Sequence, residues 1–258
     1  MALLEIERRG PVAWTWLARP ERHNALTGEL ADAVSFGFES LAAEPEVRVV
    51  VLGGRGPSFC AGADLEDMKA SGRADLAHNL AEAGRLTRMF RAVASCPQPV
   101  VGRVHGHVLG GGVGLCCACD VPVAAEDARF GLSEVRLGIL PALISPYVVR
   151  RLGEAHAREL MLTGERFDAA TALRVGLVQH VVPAAGLDAA VEERVGQLLQ
   201  GGPEAQGRVK ALLARQAERA WGGMGRDLER LLAEARAGDE AQEGLAAFLE
   251  KRKPRWAP

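Results

Sequence analysis

Short apolar runs broken by glycine and proline dominate the first half of the chain, and longer amphipathic runs dominate the second half. Residues 3–8 and 12–17 alternate apolar with polar or small side chains across Gly10-Pro11, which predicts a pair of strands. Thr27 can cap a helix running through Ala42, which ends before Pro45. The unbroken apolar run 47–52 suits a strand buried on both faces, and residues 53–62 are glycine-rich and loop-like. Further on, the pattern predicts a helix over 74–94, a strand over 99–104, a small-residue helix over 110–119 and a strand over 121–125. Helices are then expected over 154–162, 169–175, 187–199, 203–219 and 225–250, the last broken near Gly238. Strands alternating with helices, followed by a nearly pure helical tail, imply an α/β core with a helical C-terminal region. The division is expected near residues 195/196, giving units 1–195 and 196–258.

Composition narrows the classes of function. The 258 residues suffice for one substantial core, and 48% hydrophobic with 25% charged residues is ordinary for a globular protein. A formal net charge of -2 and 5% aromatic residues do not suit a nucleic-acid surface. The longest uncharged apolar stretch, about 104–119, is too short and glycine-rich to span a bilayer, and residues 1–10 lack the apolar core of a signal peptide. A cytoplasmic protein with no membrane partner is therefore expected. Cys116 and Cys119 form a lone CxxC with Cys117 between them. With no second CxxC and no HxxxH to complete a metal site, they read as small buried hydrophobes, and no metal is expected.

Two strand-to-helix corners carry the candidate chemistry. The first is Ser58-Phe59-Cys60-Ala61-Gly62-Ala63-Asp64-Leu65, which opens a helix beginning with Asp64, Leu65, Glu66 and Asp67. The second is Gly106-His107-Val108-Leu109-Gly110-Gly111-Gly112-Val113-Gly114-Leu115. It fits neither the dinucleotide fingerprint, since the third glycine would fall at Leu115, nor a phosphate loop, since no lysine precedes a serine or threonine. No G-x-S-x-G elbow occurs; Ser133 lies in Gly-Leu-Ser-Glu-Val. Two such corners could each aim one backbone N–H at a single oxygen, and a donor of that kind is worth about 3–4 kcal/mol in a transition state. The competing reading of the triple glycine is tight helix packing.

Taken together, these residues resemble the crotonase, or enoyl-CoA hydratase/isomerase, superfamily. The resemblance rests on Arg19-Pro20-Glu21-Arg22-His23-Asn24-Ala25-Leu26, on Ala61 to Leu65 and on the glycine run leading to Ala118-Cys119-Asp120. Phe130-Gly131-Leu132-Ser133-Glu134 and Phe248-Leu249-Glu250-Lys251-Arg252-Lys253-Pro254 extend it to nearly the whole chain. It implies a spiral of ββα units with a helical C-terminal trimerisation region, assembled as a homotrimer or a dimer of trimers. It also implies an oxyanion hole from the N–H groups of Ala63 and Gly111. Coenzyme A would enter as part of a thioester substrate, with no permanently bound cofactor. Its adenine would lie near Arg22, Ala61 and the backbone Ala63, Asp64, Leu65 and Glu66, and Lys251 could reach its phosphates, from a neighbouring subunit in one arrangement. Arg22 and Lys251 could equally be solvated surface charges.

Hydratases of this family typically carry two glutamates, and Glu134 matches the second. The first would fall at Gly114. One carboxylate suits a double-bond isomerase, since a single base can shuttle a proton between carbons. A second resemblance, in Val113-Gly114-Leu115 with 133–141 and 144–147, is to methylglutaconyl-CoA-type and related branched enoyl-CoA hydratases of leucine and isoprenoid breakdown. It favours a hydratase. A substrate carboxylate, or Tyr147 or Ser145, would then offset the absent glutamate. Ala142, Leu143, Ile144 and Tyr147 are expected wall residues of the acyl pocket. His105 and His107 are rival bases, and a non-catalytic acyl-CoA-binding protein is the alternative of a different class.

Overall fold

The computed structural model describes residues 2–71, 74–221 and 225–254. Strands β1 (Leu4–Arg9) and β2 (Val12–Leu17) pair antiparallel around Gly10, whose φ of +58° suits a residue without Cβ. Helix α1 (Gly28–Ala42) starts where expected, with the Thr27 hydroxyl accepting a bond from the Leu30 N–H. Strands β3 (Val49–Gly54), β4 (Val100–Val104) and β6 (Val121–Ala125) then join β2 in parallel. With β9 (His180–Val182) they complete a six-stranded sheet in the order β1-β2-β3-β4-β6-β9.

The continuous apolar run of β3 is explained by burial on both faces. Val50 and Leu52 point into the larger core cluster with α1, while Val49 and Val51 join Trp14, Trp16 and Val191 in a second cluster. Val191 belongs to α7 (Leu187–Leu199), so helices cover the sheet on both sides, as parallel pairing requires.

Three further strands of three residues each went unpredicted along with β9: β5 (His107–Leu109), β7 (Arg129–Gly131) and β8 (Arg166–Asp168), which form a small second sheet in the order β5-β7-β8. Three residues are too few to show an alternation. Strand, strand, helix recurs as β1-β2-α1, then as β4-β5 with α4 (Gly111–Ala118), then as β6-β7 with α5 (Ser145–Thr163). Helix α5 begins nine residues before the expected 154, because Pro146 is tolerated in a first helical turn. The expected start coincides with a kink at Gly153, whose φ is +73°.

The remaining helices follow the pattern closely. Helix α2 (Leu65–Ser71) opens from the first glycine corner, and α3 (Leu76–Ser95) is capped by Asp75, which accepts from the His78 N–H. Helix α6 (Ala169–Arg174) links β8 to β9. The C-terminal region comprises α8 (Pro203–Trp221), α9 (Gly225–Ala237) and α10 (Asp239–Leu249), with the break at Gly238. Helix α9 packs on α3, and its Leu232 enters the main core. Helix α10 packs against a single 3-10 turn over Glu134–Leu137. Among the described residues no helix is long and apolar enough to cross a membrane.

Candidate active site

The first corner is held by braces that the sequence pattern did not reveal. Asn24 is fully buried; its amide nitrogen donates to the carbonyls of Arg55 and Ser58, and its Oδ1 accepts from the Arg19 N–H. Arg19 in turn reaches the Ala25 carbonyl at 2.6 Å and Asp64 Oδ2 at 3.1 Å. Asp64 is buried against that guanidinium, and its other oxygen accepts from the Glu66 N–H at the start of α2. Leu26 then makes an isolated parallel bridge to Ala63: its N–H bonds the Gly62 carbonyl, and its carbonyl takes the Asp64 N–H. A parallel bridge uses the groups on either side of Ala63, so the N–H of Ala63 itself points the other way.

The second corner is stitched directly to the first. Cys60 and Val108 form another bridge, with the Cys60 N–H on the His107 carbonyl and the Leu109 N–H on the Cys60 carbonyl. Close approach demands the glycines here. A Cβ at Gly112 would lie 2.2 Å from the Cys60 carbonyl oxygen, and one at Gly62 would lie 2.9 Å from the Leu109 oxygen. Gly110 has φ +48° and donates to the Gly131 carbonyl, which starts α4 at Gly111. The Gly111 N–H sits in the first helical turn, before the helix's own bonding begins. Among the described residues, no backbone carbonyl accepts a bond from either Ala63 or Gly111.

Both corners open on one cavity of about 430 Å³. Ala61, Gly62 and Ala63 line it from one side, Gly110 and Gly111 from the other, and Glu134 stands beside them. A Cβ at Gly110 would be 3.1 Å from Glu134 Oε1. Glu134 Oε2 is shielded from solvent and has no hydrogen-bond partner among the described residues. Burial pushes its carboxyl up to about 7, against a smaller opposing effect from a backbone N–H. Proton exchange near neutrality is what such a group can do.

Gly114 has no room for a side chain. A Cβ there would fall 2.3 Å from Ile144 Cγ2 and 3.0 Å from Phe90 Cε1, so the place of a second carboxylate is occupied by hydrocarbon. Ala142, Leu143 and Ile144 line the cavity, whereas Tyr147 packs on Phe90 with its ring tilted by 43° and the ring centroids 5.9 Å apart. Ser145 spends its hydroxyl on the Ala142 carbonyl at the start of α5. Neither side chain borders the cavity among its described lining. His105 binds the Gly56 carbonyl through Nε2, and neither it nor His107 lines the cavity.

The other candidate residues fall at the rim or beyond it. Arg22 and Glu66 are exposed and face each other at 3.3 Å, and Leu65 lines the cavity mouth. Lys251 lies in the turn after α10, exposed, with φ +54°. Its neighbour Arg252 lines the cavity and pairs with Glu243 at 2.7 Å. A further lining residue, Arg236 of α9, was not anticipated: one cation on an amphipathic helix face carries no signal of its own. Cys116, Cys117 and Cys119 are buried, and burial pushes all three thiols up, Cys117 and Cys119 to about 12. Among the described residues no group of three His, Cys, Asp or Glu side chains could hold a metal ion.

Comparison with known proteins identifies the family and the fold. The family profile described as enoyl-CoA hydratase/isomerase matches residues 7–258. Among curated proteins, the short-chain-enoyl-CoA hydratase of Clostridium acetobutylicum is 32% identical over 96% of this chain and 95% of its own. Among solved structures, an enoyl-CoA hydratase from Mycobacterium avium superposes with a TM-score of 0.89 at 34% identity, covering both chains fully. Pseudomonas aeruginosa AtuE matches at 39% identity and a TM-score of 0.82, over 99% of this chain and 100% of its own.

Proposed function

Because the chain belongs to the enoyl-CoA hydratase/isomerase family, we propose that it adds water reversibly to an α,β-unsaturated acyl-CoA, of branched or glutaconyl type, with one glutamate serving both proton transfers. The observation that supports this most is the shared wall: Glu134 and the two corners bearing the Ala63 and Gly111 N–H groups line a single cavity. In the proposed reaction the thioester oxygen accepts from both N–H groups, which draws electron density from the double bond. The Glu134 carboxylate takes a proton from water as the water oxygen bonds to the β-carbon. The resulting enolate oxygen is held by the same two donors and by the positive end of α4. Glu134 then returns its proton to the α-carbon, so that H and OH have been added and the carboxylate is regenerated. No second carboxylate is needed, in keeping with Ile144 and Phe90 filling the space beside Gly114.

Coenzyme A would enter only as part of the substrate, with no resident cofactor. Arg22, Ala61 and the backbone of Ala63, Asp64, Leu65 and Glu66 are the proposed contacts of its adenine end, and Lys251 of its phosphates. We further propose a cytoplasmic enzyme, in which the five buried, unpaired cysteines stay reduced, and a homotrimer or dimer of trimers. An isomerase is the second reading, favoured by the single carboxylate. A panel of straight, branched and carboxylated enoyl-CoAs, followed by loss of absorbance at the conjugated thioester band, tests the proposal. Uptake of labelled solvent oxygen into product supports the hydratase. Conversion of a 3-enoyl-CoA without uptake supports the isomerase. Coenzyme A thioester binding without turnover of any substrate supports a binding protein.

A further inference from the structure

Arg236 puts a cationic side chain on the wall of an otherwise largely apolar cavity. Its Nε is shielded from solvent and has no hydrogen-bond partner among the described residues. The residue lies one turn beyond Leu232 on α9, so both face the cavity where α9 packs on α3. Burial disfavours its charged form, and only the fields of Glu82 and Asp67 offset this. Both carboxylates have their own commitments. Glu82 is paired with Arg85 at 2.8 Å. Asp67 is pushed up by burial and by Asp64, Glu29 and Glu82. A guanidinium remains ionised in proteins, so a buried donor of this kind is left costly unless an acceptor meets it.

We propose that Arg236 is a specificity-determining residue that receives a carboxylate at the distal end of the acyl group. The substrate class is then an enoyl-CoA bearing a second, anionic carboxyl group. The chemistry that recognises it is a charge-assisted N–H···O bond from a guanidinium that a lysine's point charge cannot reproduce in geometry. The fields of Glu82 and Asp67 favour the charged guanidinium and partly offset its burial. Leu86, Met68 and Leu232 give the same cavity an apolar wall, and a contact made in such surroundings is strengthened. Arg136, Arg166 and Arg252 also line the cavity. Arg252 is already tied to Glu243 and Glu250, Arg136 reaches the Thr163 carbonyl, and Arg166 is exposed to solvent, so among these four Arg236 is the one with a shielded donor that lacks a partner among the described residues.

This inference rests on the acyl-CoA reading above, and the experiment separates their failures. Wild type, Arg236→Met and Arg236→Lys are each assayed for hydration of crotonyl-CoA and of a glutaconyl-type thioester. Binding of the saturated analogues butyryl-CoA and glutaryl-CoA is measured by calorimetry in parallel. The expected result is a wild-type preference for the carboxylated substrate that falls at least about 30-fold in kcat/KM in Arg236→Met, with crotonyl-CoA turnover little changed. Arg236→Lys should recover only part of the loss. Glutaryl-CoA affinity should fall in the same order while butyryl-CoA affinity holds. Turnover of crotonyl-CoA with no discrimination in either assay overturns the role of Arg236. Tight, Arg236-dependent glutaryl-CoA binding with no hydration of any thioester overturns the hydratase reading instead. A variant that loses both substrates equally and melts early shows a structural role and also overturns the inference.

Discussion

Glu134 sits in two roles that pull against each other, and both are measurable. As the only carboxylate lining the cavity among the described residues it must ionise to take a proton from water, yet burial holds it up at about 7. For the free enzyme, kcat/KM should therefore rise with pH up to about 7 and then level, as a pH–rate profile on one enoyl-CoA would show. Glu134→Gln should lose at least about 100-fold in kcat by the same assay. Folding carries the opposite sign. A carboxyl whose folded value is raised from 4.5 binds more protons when folded, so stability falls as pH climbs from about 4.5 to about 7 and is flat beyond. The shift corresponds to a penalty on the order of 3 kcal/mol at pH 8. Urea melts of wild type and Glu134→Gln should therefore move apart in the variant's favour between pH 4.5 and 8. Parallel curves across that range would mean the carboxyl is not strained.

At the scale of elements, the site depends on how closely two bends and one turn can approach. A Cβ at Gly244 of α10 would lie 2.5 Å from the carbonyl carbon and oxygen of Leu137, so this glycine lets α10 lie flat on the turn that carries Glu134. Gly244→Ala should push that turn, destabilise the fold by about 1–3 kcal/mol as overpacking does, and lower kcat more than KM. Gly114→Glu should destabilise by a similar amount and add no hydratase activity, because Ile144 and Phe90 already fill the space. Both are read by thermal melts with steady-state kinetics. The same closeness explains what was legible in the sequence. The main sheet strands, the α1 cap at Thr27 and the two glycine corners each leave a local pattern, and Glu134 stands in a recognisable segment. The three-residue strands do not, since β5, β7, β8 and β9 exist only through their partners. Nor does the bracing role of Asn24 and Arg19, whose segment was recognisable but whose bonds form only when it folds back on a loop, or Arg236, which reaches the cavity only because α9 packs across α3.

For the whole molecule, the face left over after the core is formed bears on the proposed assembly. Helix α8 exposes Val209, Leu212 and Leu213, each more than half accessible and spaced to form one apolar stripe. The C-terminal helices α9 and α10 are already folded back over the chain's own cavity, so they do not cover that stripe with their packed faces. Full burial of each such side chain contributes about 1.5–3 kcal/mol, which favours a second copy of the chain as the cover. Light scattering should therefore give a multiple of 27.4 kDa, three- or sixfold, for wild type. The double substitution Leu212→Lys with Leu213→Lys should shift the mass toward the single chain. If Lys251 reaches the thioester's phosphates across a subunit boundary, the dissociated variant should show a raised KM with kcat largely kept, since Glu134 and both N–H corners come from one chain. A wild-type mass of one chain would overturn the assembly. Dissociation with KM unchanged would confine Lys251 to its own subunit or to solvent.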